Sequence, residues 1–217
     1  MKISRILSVT LATVVLLAGT TAMAGPFDVL VGDKDGYGLG CPDVGTCVWP
    51  GGGPSGSSYD GRDAAEMAAT NGAQITDVYS AIFPTYGPNP SETASVIFPS
   101  VGTITSATLT VAMGDFQAST FGPIAVNFNG ITESWAFDDG FQATTTRSFT
   151  LSAAEIAAAN LAGQFQINLD HTGSSDFIAF DWFELSGTST AVPEPSMLLL
   201  LGSGLVGLAG LGWRRNR

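Results

Sequence analysis

The stretch Ser106-Ala107-Thr108-Leu109-Thr110-Val111-Ala112-Met113 decides the fold class. Apolar side chains occupy every second position from Ala107 to Met113, and small hydroxyl side chains separate them as far as Thr110. A period of two residues predicts a β-strand with one buried face. Outward from this stretch, similar short runs predict strands over 94–98, 104–113, 124–129, 145–151, 164–169 and 176–186. We therefore predict an all-β fold, a β-sandwich or jelly roll, with one or two short helices.

Turn and cap signals connect these strands. Asn129-Gly130 is the dipeptide of a type I′ hairpin turn. Ser152 followed by Glu155 forms a capping box and predicts a helix over 156–161 that Gly163 ends. Before residue 92 the sequence predicts a short strand over 27–31, a short helix over 63–70 with Asp60 or Asp63 near its start, and a strand over 75–83.

The last predicted strand carries an acid among apolar residues. Strict alternation would place Asp181 in one row with Phe177, Ala179, Phe183 and Leu185. A buried carboxylate requires hydrogen-bond donors or a cation. Residues 178–185 resemble the final strand of galactose-binding-like jelly-roll carbohydrate-binding modules. The resemblance implies that Asp181 meets an N-terminal segment at a structural Ca²⁺, and the alternative is an aspartate held by backbone donors alone.

The loop Asp33-Lys34-Asp35-Gly36 supplies the N-terminal segment for such a site. Its two carboxylates stand on alternate residues of a tight turn, and oxygen donors suit Ca²⁺, which takes six to eight of them. We predict that Asp33 and Asp35 join Asp181 as metal ligands. The competing interpretation is a solvated turn that binds nothing.

The chain has two cysteines, Cys41 and Cys47. An even pair in an exported protein predicts a disulfide. A metal site built on the pair is the alternative, but no neighbouring histidine or third cysteine completes it.

The N-terminus has the three parts of a secretory signal peptide. Lys2 and Arg5 are basic, 6–18 is mostly apolar, and Ala22-Met23-Ala24 is a small-residue cleavage site that would leave Gly25 as the first mature residue. We accordingly divide the chain into a signal peptide over 1–24, an extracytoplasmic β-sandwich domain over 25–192 and a C-terminal signal over 193–217.

The C-terminus also has three parts. Val192-Pro193-Glu194-Pro195 is followed by an uncharged apolar run over 197–213, and then by Arg214, Arg215 and Arg217. As a helix the run would be about 25 Å long, a little shorter than the ~30 Å hydrocarbon core, and the arginines beyond it favour a transmembrane helix. This order resembles the PEP-CTERM protein-sorting signal. The resemblance implies a transient inner-membrane anchor with the body in the periplasm, processing near the P-E-P motif by an exosortase, and delivery to the cell surface or beyond.

The net charge of the body, residues 25–192, limits the classes of partner that it can bind. Between residues 25 and 192 there are three basic residues, Lys34, Arg62 and Arg147, against 18 acidic ones, a net charge of −15. Such a surface repels nucleic acid and suits multivalent cations or solubility outside the cell.

We expect a non-catalytic exported surface or matrix protein, because no catalytic motif is present. The alternatives are a Ca²⁺-dependent carbohydrate-binding module, in which Trp49, Trp135 or Tyr59 would stack on sugars, and a polysaccharide hydrolase. The candidate acids for the hydrolase are Glu133, Asp138 and Asp139. Exopolysaccharide is the expected extracellular partner.

Overall fold

The computed structural model describes residues 24–50, 58–83 and 91–190, and the compact unit among them is Gly25–Thr190. The predicted signal peptide up to Met23, the P-E-P motif, the apolar run over 197–213 and the terminal arginines lie outside the described residues. Among the described residues, no helix combines the length and the hydropathy that a membrane crossing requires.

The described chain is mostly β-strand and forms two principal sheets. The first has five strands in the order β1-β11-β6-β9-β2. Their bounds are β1 Ala24–Gly32, β2 Gly45–Thr46, β6 Thr103–Gly114, β9 Ala143–Thr150 and β11 Ala179–Thr190. The first and last strands are therefore neighbours, and β11 lies between β1 and β6.

The second principal sheet has four strands in the order β5-β10-β7-β8. Their bounds are β5 Thr93–Phe98, β7 Ile124–Phe128, β8 Ile131–Trp135 and β10 Phe165–Asp170. A two-stranded ribbon pairs β3 Tyr59–Asp60 with β4 Val78–Tyr79. The described residues also form three short α-helices: α1 Ala64–Ala68, α2 Ala118–Phe121 and α3 Ala153–Ala162.

Both principal sheets contribute to one apolar core. Leu109 and Val111 of β6 are fully buried, and so are Val96 of β5 and Ile167 of β10, all within one hydrophobic cluster. Burying one alternate row from each strand removes apolar area from water, which is the main favourable term in folding. The two sheets with a shared core are consistent with the predicted β-sandwich.

The local signals in the second half of the chain are confirmed. Asn129 and Gly130 have φ values of 48° and 88°, as a type I′ turn between β7 and β8 requires. Ser152 caps α3 through the expected reciprocal bonds with Glu155, and Gly163 ends the helix in the left-handed conformation. Asp63 caps α1 in the same way with Glu66.

The strand predicted over 75–83 is wrong. The segment is instead a 3-10 turn over Ala73–Ile75, followed by the two-residue strand β4 and isolated bridges at Ser80 and Phe83. Asp77 explains the break, because its φ of 57° is incompatible with an extended strand. The apolar residues of this segment are buried by tertiary packing and not by a regular ladder.

The predicted alternation along the last strand is also wrong, because β11 contains a bulge at Asp181. Phe180 pairs with Met113 and Trp182 with the next residue of β6, Ala112, so Asp181 is the extra residue. Phe180 and Phe183 consequently both face the core, with ring centroids 4.9 Å apart. Asp181 does not share a row with Phe183 and Leu185. It points to the other side, towards Tyr37.

A second, smaller apolar cluster lies on that other side. It contains Tyr37, Cys47, Trp49, Tyr79 and Ala179. The Trp49 ring stacks on Tyr79 at 4.9 Å and meets Tyr37 edge-on at 5.1 Å. Because Trp49 is 2% exposed and Trp135 is 1% exposed, neither is available to stack on a sugar. Both are core residues, so the alternative in which Trp49 or Trp135 stacks on sugars is not supported.

The predicted disulfide between Cys41 and Cys47 is present and borders this cluster. We expect alkylation of the unreduced, exported protein to label no thiol, since these are the only two cysteines. Closing so short a loop contributes about 2 kcal/mol in the chain-entropy account. Intact-mass analysis after alkylation with and without reductant measures the result. Labelling of both cysteines without reductant would contradict it.

Candidate metal centre

Four carboxylates converge where β1 ends beside the bulge of β11. Asp33, Asp35, Asp77 and Asp181 each present one oxygen, and these four oxygens lie within 4.8 Å of one another. They come from positions far apart in the sequence. The structure thus brings together the three predicted ligands and adds Asp77, which the sequence analysis did not single out.

The end of β1 directs the first two acids into the site. Gly32 has a φ of +81°, and a Cβ atom there would lie 2.7 Å from the carbonyl oxygen of Asp181 and from the Thr76 methyl. Only glycine allows the backbone to turn at this close approach. The following turn is fixed by the Gly38 N–H, which donates to Asp35 Oδ1 at 2.7 Å.

Asp181 is held by one backbone donor and is otherwise unsatisfied. The Tyr37 N–H donates to Asp181 Oδ1 at 2.8 Å, and Tyr37 has a left-handed φ of 63°. Asp181 itself is fully buried, and its Oδ2 has no hydrogen-bond partner among the described residues. The alternative of an aspartate satisfied by backbone donors accounts for only one of its two oxygens.

Asp77 reaches the site from the segment between the 3-10 turn and β4. Its N–H donates to the carbonyl of Phe180 at 2.7 Å, and its own carbonyl accepts from the Gly61 N–H at 2.8 Å, so its backbone is fixed on both sides. The side chain is 1% exposed, and neither carboxylate oxygen has a hydrogen-bond partner within the described part of the chain. Asp33 Oδ1 is buried and lacks a partner in the same way.

No side-chain cation remains to neutralise the four acids. The body has three basic residues, and each forms an ion pair elsewhere: Lys34 with Glu184, Arg62 with Asp60, and Arg147 with Asp139. Lys34 also lies over the Trp182 ring, 4.2 Å from its centroid. A buried carboxylate without donors or a counter-ion is strongly unfavourable. The cluster therefore requires bound protons or a cation from solution.

Without a bound cation, the pKa values of three of the clustered acids are raised. Burial, followed by the nearby carboxylates of Glu66, Asp35 and Asp181, raises the pKa of Asp77 to about 10. Burial also raises the pKa of Asp181 to about 7 against the opposing effect of the Tyr37 N–H, with Asp43 adding to the rise. Burial and then Asp35 raise the pKa of Asp33.

The chemistry and spacing of the cluster suit Ca²⁺. Oxygens on opposite sides of a Ca²⁺ ion, each about 2.3–2.6 Å from it, are up to about 5 Å apart, and the four carboxylate oxygens here lie within 4.8 Å of one another. Four carboxylates, one of them on the exposed Asp35, leave room for water or carbonyl ligands. The residues present could therefore hold Ca²⁺, which remains a prediction.

A signal for Asp77 was present in the sequence. It is the only charged residue in the apolar segment 75–83, which is the kind of observation that singled out Asp181. Nothing local indicates that the segment crosses β11 at Phe180, because that contact is made between residues about 100 positions apart.

Two of the three acids named for a hydrolase, Asp138 and Asp139, make structural contacts. Asp138 Oδ1 accepts from the Ser119 N–H at 2.8 Å, at the start of α2. Asp139 forms the ion pair with Arg147. Glu133 faces Glu155, and burial with this neighbouring acid raises the pKa of Glu133. His171, the one histidine, is 2% exposed and packs edge-on against Phe83.

The C-terminal segment is recognised by comparison with protein families. Residues 191–216 match the model of the PEP-CTERM protein-sorting motif. This chain carries a PEP-CTERM sorting signal. Such a motif is a signal for processing by an exosortase and implies export to the cell envelope or surface. The match begins one residue after β11 ends at Thr190.

Comparisons of the whole chain add little to the PEP-CTERM assignment. No curated protein sequence matches this chain. The chain is similar to the Podospora anserina GH26-CBM35 β-(1,4)-mannanase, with a TM-score of 0.34, 14% identity and coverage of 79% of this chain and 29% of that one. It is also similar to the dimeric latent PorU of Porphyromonas gingivalis, with a TM-score of 0.32, 15% identity and coverage of 67% and 14%. This chain thus spans less than a third of either structure.

Proposed function

We propose that this protein is an exported cell-surface or extracellular-matrix component whose body is non-catalytic and whose tail is processed by an exosortase. The observation that carries the proposal is the PEP-CTERM match over 191–216, directly after the last strand of the body. In this account the apolar run over 197–213 anchors the precursor in the inner membrane with the body in the periplasm, until cleavage near Pro193-Glu194-Pro195.

The body, in this proposal, is a jelly roll stabilised by one structural Ca²⁺ at Asp33, Asp35, Asp77 and Asp181. Support comes from the convergence of the four oxygens, the unpartnered oxygens of Asp77 and the commitment of every basic side chain of the body to another acid. The ion would tie the end of β1 and the Asp77 segment to the bulge of β11. Its role would be structural because two of its ligands, Asp77 and Asp181, are buried at this junction.

Replacement of Pro193, Glu194 and Pro195 by alanine should leave the protein uncleaved in the inner membrane. The physical reason is that the processing enzyme loses its recognition sequence while the apolar run remains. Fractionation and intact-mass analysis measure the result: the natural protein should begin at Gly25 and end near the P-E-P motif.

The matched control is a Glu92→Ala, Pro99→Ala variant, which makes the same kinds of change inside the exported body and should be processed normally. Recovery of an exported natural protein that still contains Arg217 would overturn the proposed processing.

A further inference from the structure

An open groove crosses the outer face of the four-stranded sheet, opposite to the core. Its volume is about 670 Å³, within the range of small-molecule and oligosaccharide sites. The floor consists of side chains from β5, β10, β7 and β8, and the segment from Thr70 to Ile75 forms one wall. Neither the metal cluster nor the sorting motif uses this surface.

A row of neutral polar side chains forms the floor of the groove. The strand register places Ser95, Asn168, Asn127 and Thr132 side by side across all four strands. Ser95 Oγ donates to Asn168 Oδ1 at 2.8 Å, and Asn168 Nδ2 donates to Asn127 Oδ1 at 2.9 Å. Gln166 Nε2 also donates to Asn168 Oδ1, at 2.6 Å. These bonds fix the orientation of the amides before any ligand arrives.

The fixed amides leave groups that face the groove. Within the described chain, Asn127 Nδ2 and the Thr132 hydroxyl make no hydrogen bond to protein. One is a donor, and the other both donates and accepts. A surface with oriented donors and acceptors but few charges matches a ligand that carries many hydroxyl groups.

The charges of the groove exclude the main competing ligand classes. Its one charged residue is Asp170, at one end, and no basic side chain is among the lining residues. An anionic polymer would meet no counter-charge there and would be repelled by a body of net charge −15. A wholly apolar ligand would bury the polar row without replacing its contacts with water.

We propose that this groove binds a neutral polysaccharide through hydrogen bonds from the Asn127–Asn168 row, with Ile97 and Ala125 contacting its apolar faces. The inference rests on the proposed location outside the cell, where such polymers occur. Because the lining residues include no aromatic ring, binding depends on hydrogen bonds and not on stacking. Contact along a polymer would then compensate for weak binding at each sugar unit.

The test uses the exported, Ca²⁺-supplemented protein and follows the side-chain amide signals of Asn127, Gln166 and Asn168 by NMR. The probes are soluble neutral oligosaccharides, a β-1,4-glucan and a mannan series, with oligogalacturonate as the anionic comparison. We expect saturable shifts of these amides with at least one neutral series and none with oligogalacturonate.

Thr132→Val is the diagnostic variant, since it removes a groove hydroxyl that has no protein partner and keeps the shape of the side chain. It should weaken neutral oligosaccharide binding by about threefold to tenfold, as expected for one lost hydrogen bond. The control is Thr108→Val on β6 of the other sheet, which should bind as the natural protein does.

Three results would overturn the proposal: no amide shift with either neutral series, shifts with oligogalacturonate, or shifts that follow protein concentration without sugar. The last would identify the groove as an interface between two copies. Processing at the P-E-P motif and the effect of Ca²⁺ on melting are measured separately, so failure of the groove is distinguishable from failure of the proposed function.

Discussion

Addition of excess Ca²⁺ to the protein freed of metal by a chelator should raise its melting temperature by about 5–10 °C. A ligand that binds only the folded state at a hundredfold excess over Kd contributes about 2.7 kcal/mol, and a domain of this size gains about 2–4 °C for each kcal/mol. The added stability comes from neutralising the repulsion among four converging carboxylates, which no side-chain cation neutralises. Differential scanning calorimetry in chelator, Ca²⁺ and Mg²⁺ measures it, and Mg²⁺ should have the smaller effect because it dehydrates reluctantly and requires near-ideal octahedral geometry.

Asp77→Asn is the most informative variant for this experiment. It should raise the melting temperature in chelator and reduce the increase that Ca²⁺ produces. Asparagine tolerates the left-handed φ of 57°, and its amide can donate to the neighbouring carboxylates. The variant should therefore melt higher than the natural protein in chelator and respond little to Ca²⁺. A residue that merely held the loop by hydrogen bonds would show destabilisation in both conditions.

Asp181→Asn should also lose most of the Ca²⁺ response while keeping the bond from the Tyr37 N–H. Asp28→Asn is the matched control, since Asp28 is exposed on β1 five residues before Asp33 and carries the same charge. It should keep the full response. Equal melting temperatures of the natural protein in Ca²⁺ and chelator would eliminate the metal site.

In the presence of a chelator, the free energy of unfolding of the protein should fall as the pH rises from 6.5 to 8.5. The pKa of Asp77 is about 10 in the folded state against its ordinary 3.8, so the folded state binds one more proton than the unfolded chain throughout this window. Stability falls with rising pH wherever the folded state binds more protons. One proton over two pH units corresponds to about 3 kcal/mol. Asp181, with a pKa of about 7, adds to the fall at the lower end.

Urea unfolding at both pH values, with and without chelator, measures this dependence. Two other groups act at the lower end of the window: burial raises the pKa of Asp176 to about 6, which adds to the fall in stability, and burial lowers the pKa of His171 from its ordinary 6.5, which opposes the fall. Asp77→Asn should flatten the dependence, and Asp28→Asn should not. An unfolding midpoint of the chelated natural protein that does not change with pH would show that Asp77 is not a buried acid without a partner.

Features determined by a few consecutive residues were predictable, and features determined by contacts between strands were not. The Asn129-Gly130 turn and the Ser152–Glu155 cap follow from local backbone chemistry and are confirmed. The Cys41–Cys47 bridge follows from residue type and compartment. The order of strands in each sheet depends on packing, and no local pattern specified it.

Asp181 lies beside Asp33 and Asp35 as predicted, but the reason given for singling it out is wrong. It was singled out because strict alternation put it in an apolar row, but the bulge in β11 moves it out of that row. The observation that still holds is that Asp181 is an acid in an otherwise apolar, buried segment. The bulge is set by the register of β11 on β6, which depends on the whole sheet. The same observation applied to Asp77 would have completed the set of four acids.

The neighbouring positions of β1 and β11 in the larger sheet have a consequence for the order in which the protein is made and exported. If the chain is exported N-terminus first, Asp33, Asp35 and Asp77 leave the export machinery more than 100 residues before Asp181. The cluster cannot form until Asp181 has followed them. The carboxylate cluster has all its members once Asp181 has emerged, and β11 is complete once Thr190 has emerged, three residues before Pro193. Until then β1 lacks its partner strand, and the body remains unfinished. We therefore expect the body to finish folding only as the sorting signal emerges, so that the folded body and its sorting signal become available at nearly the same time.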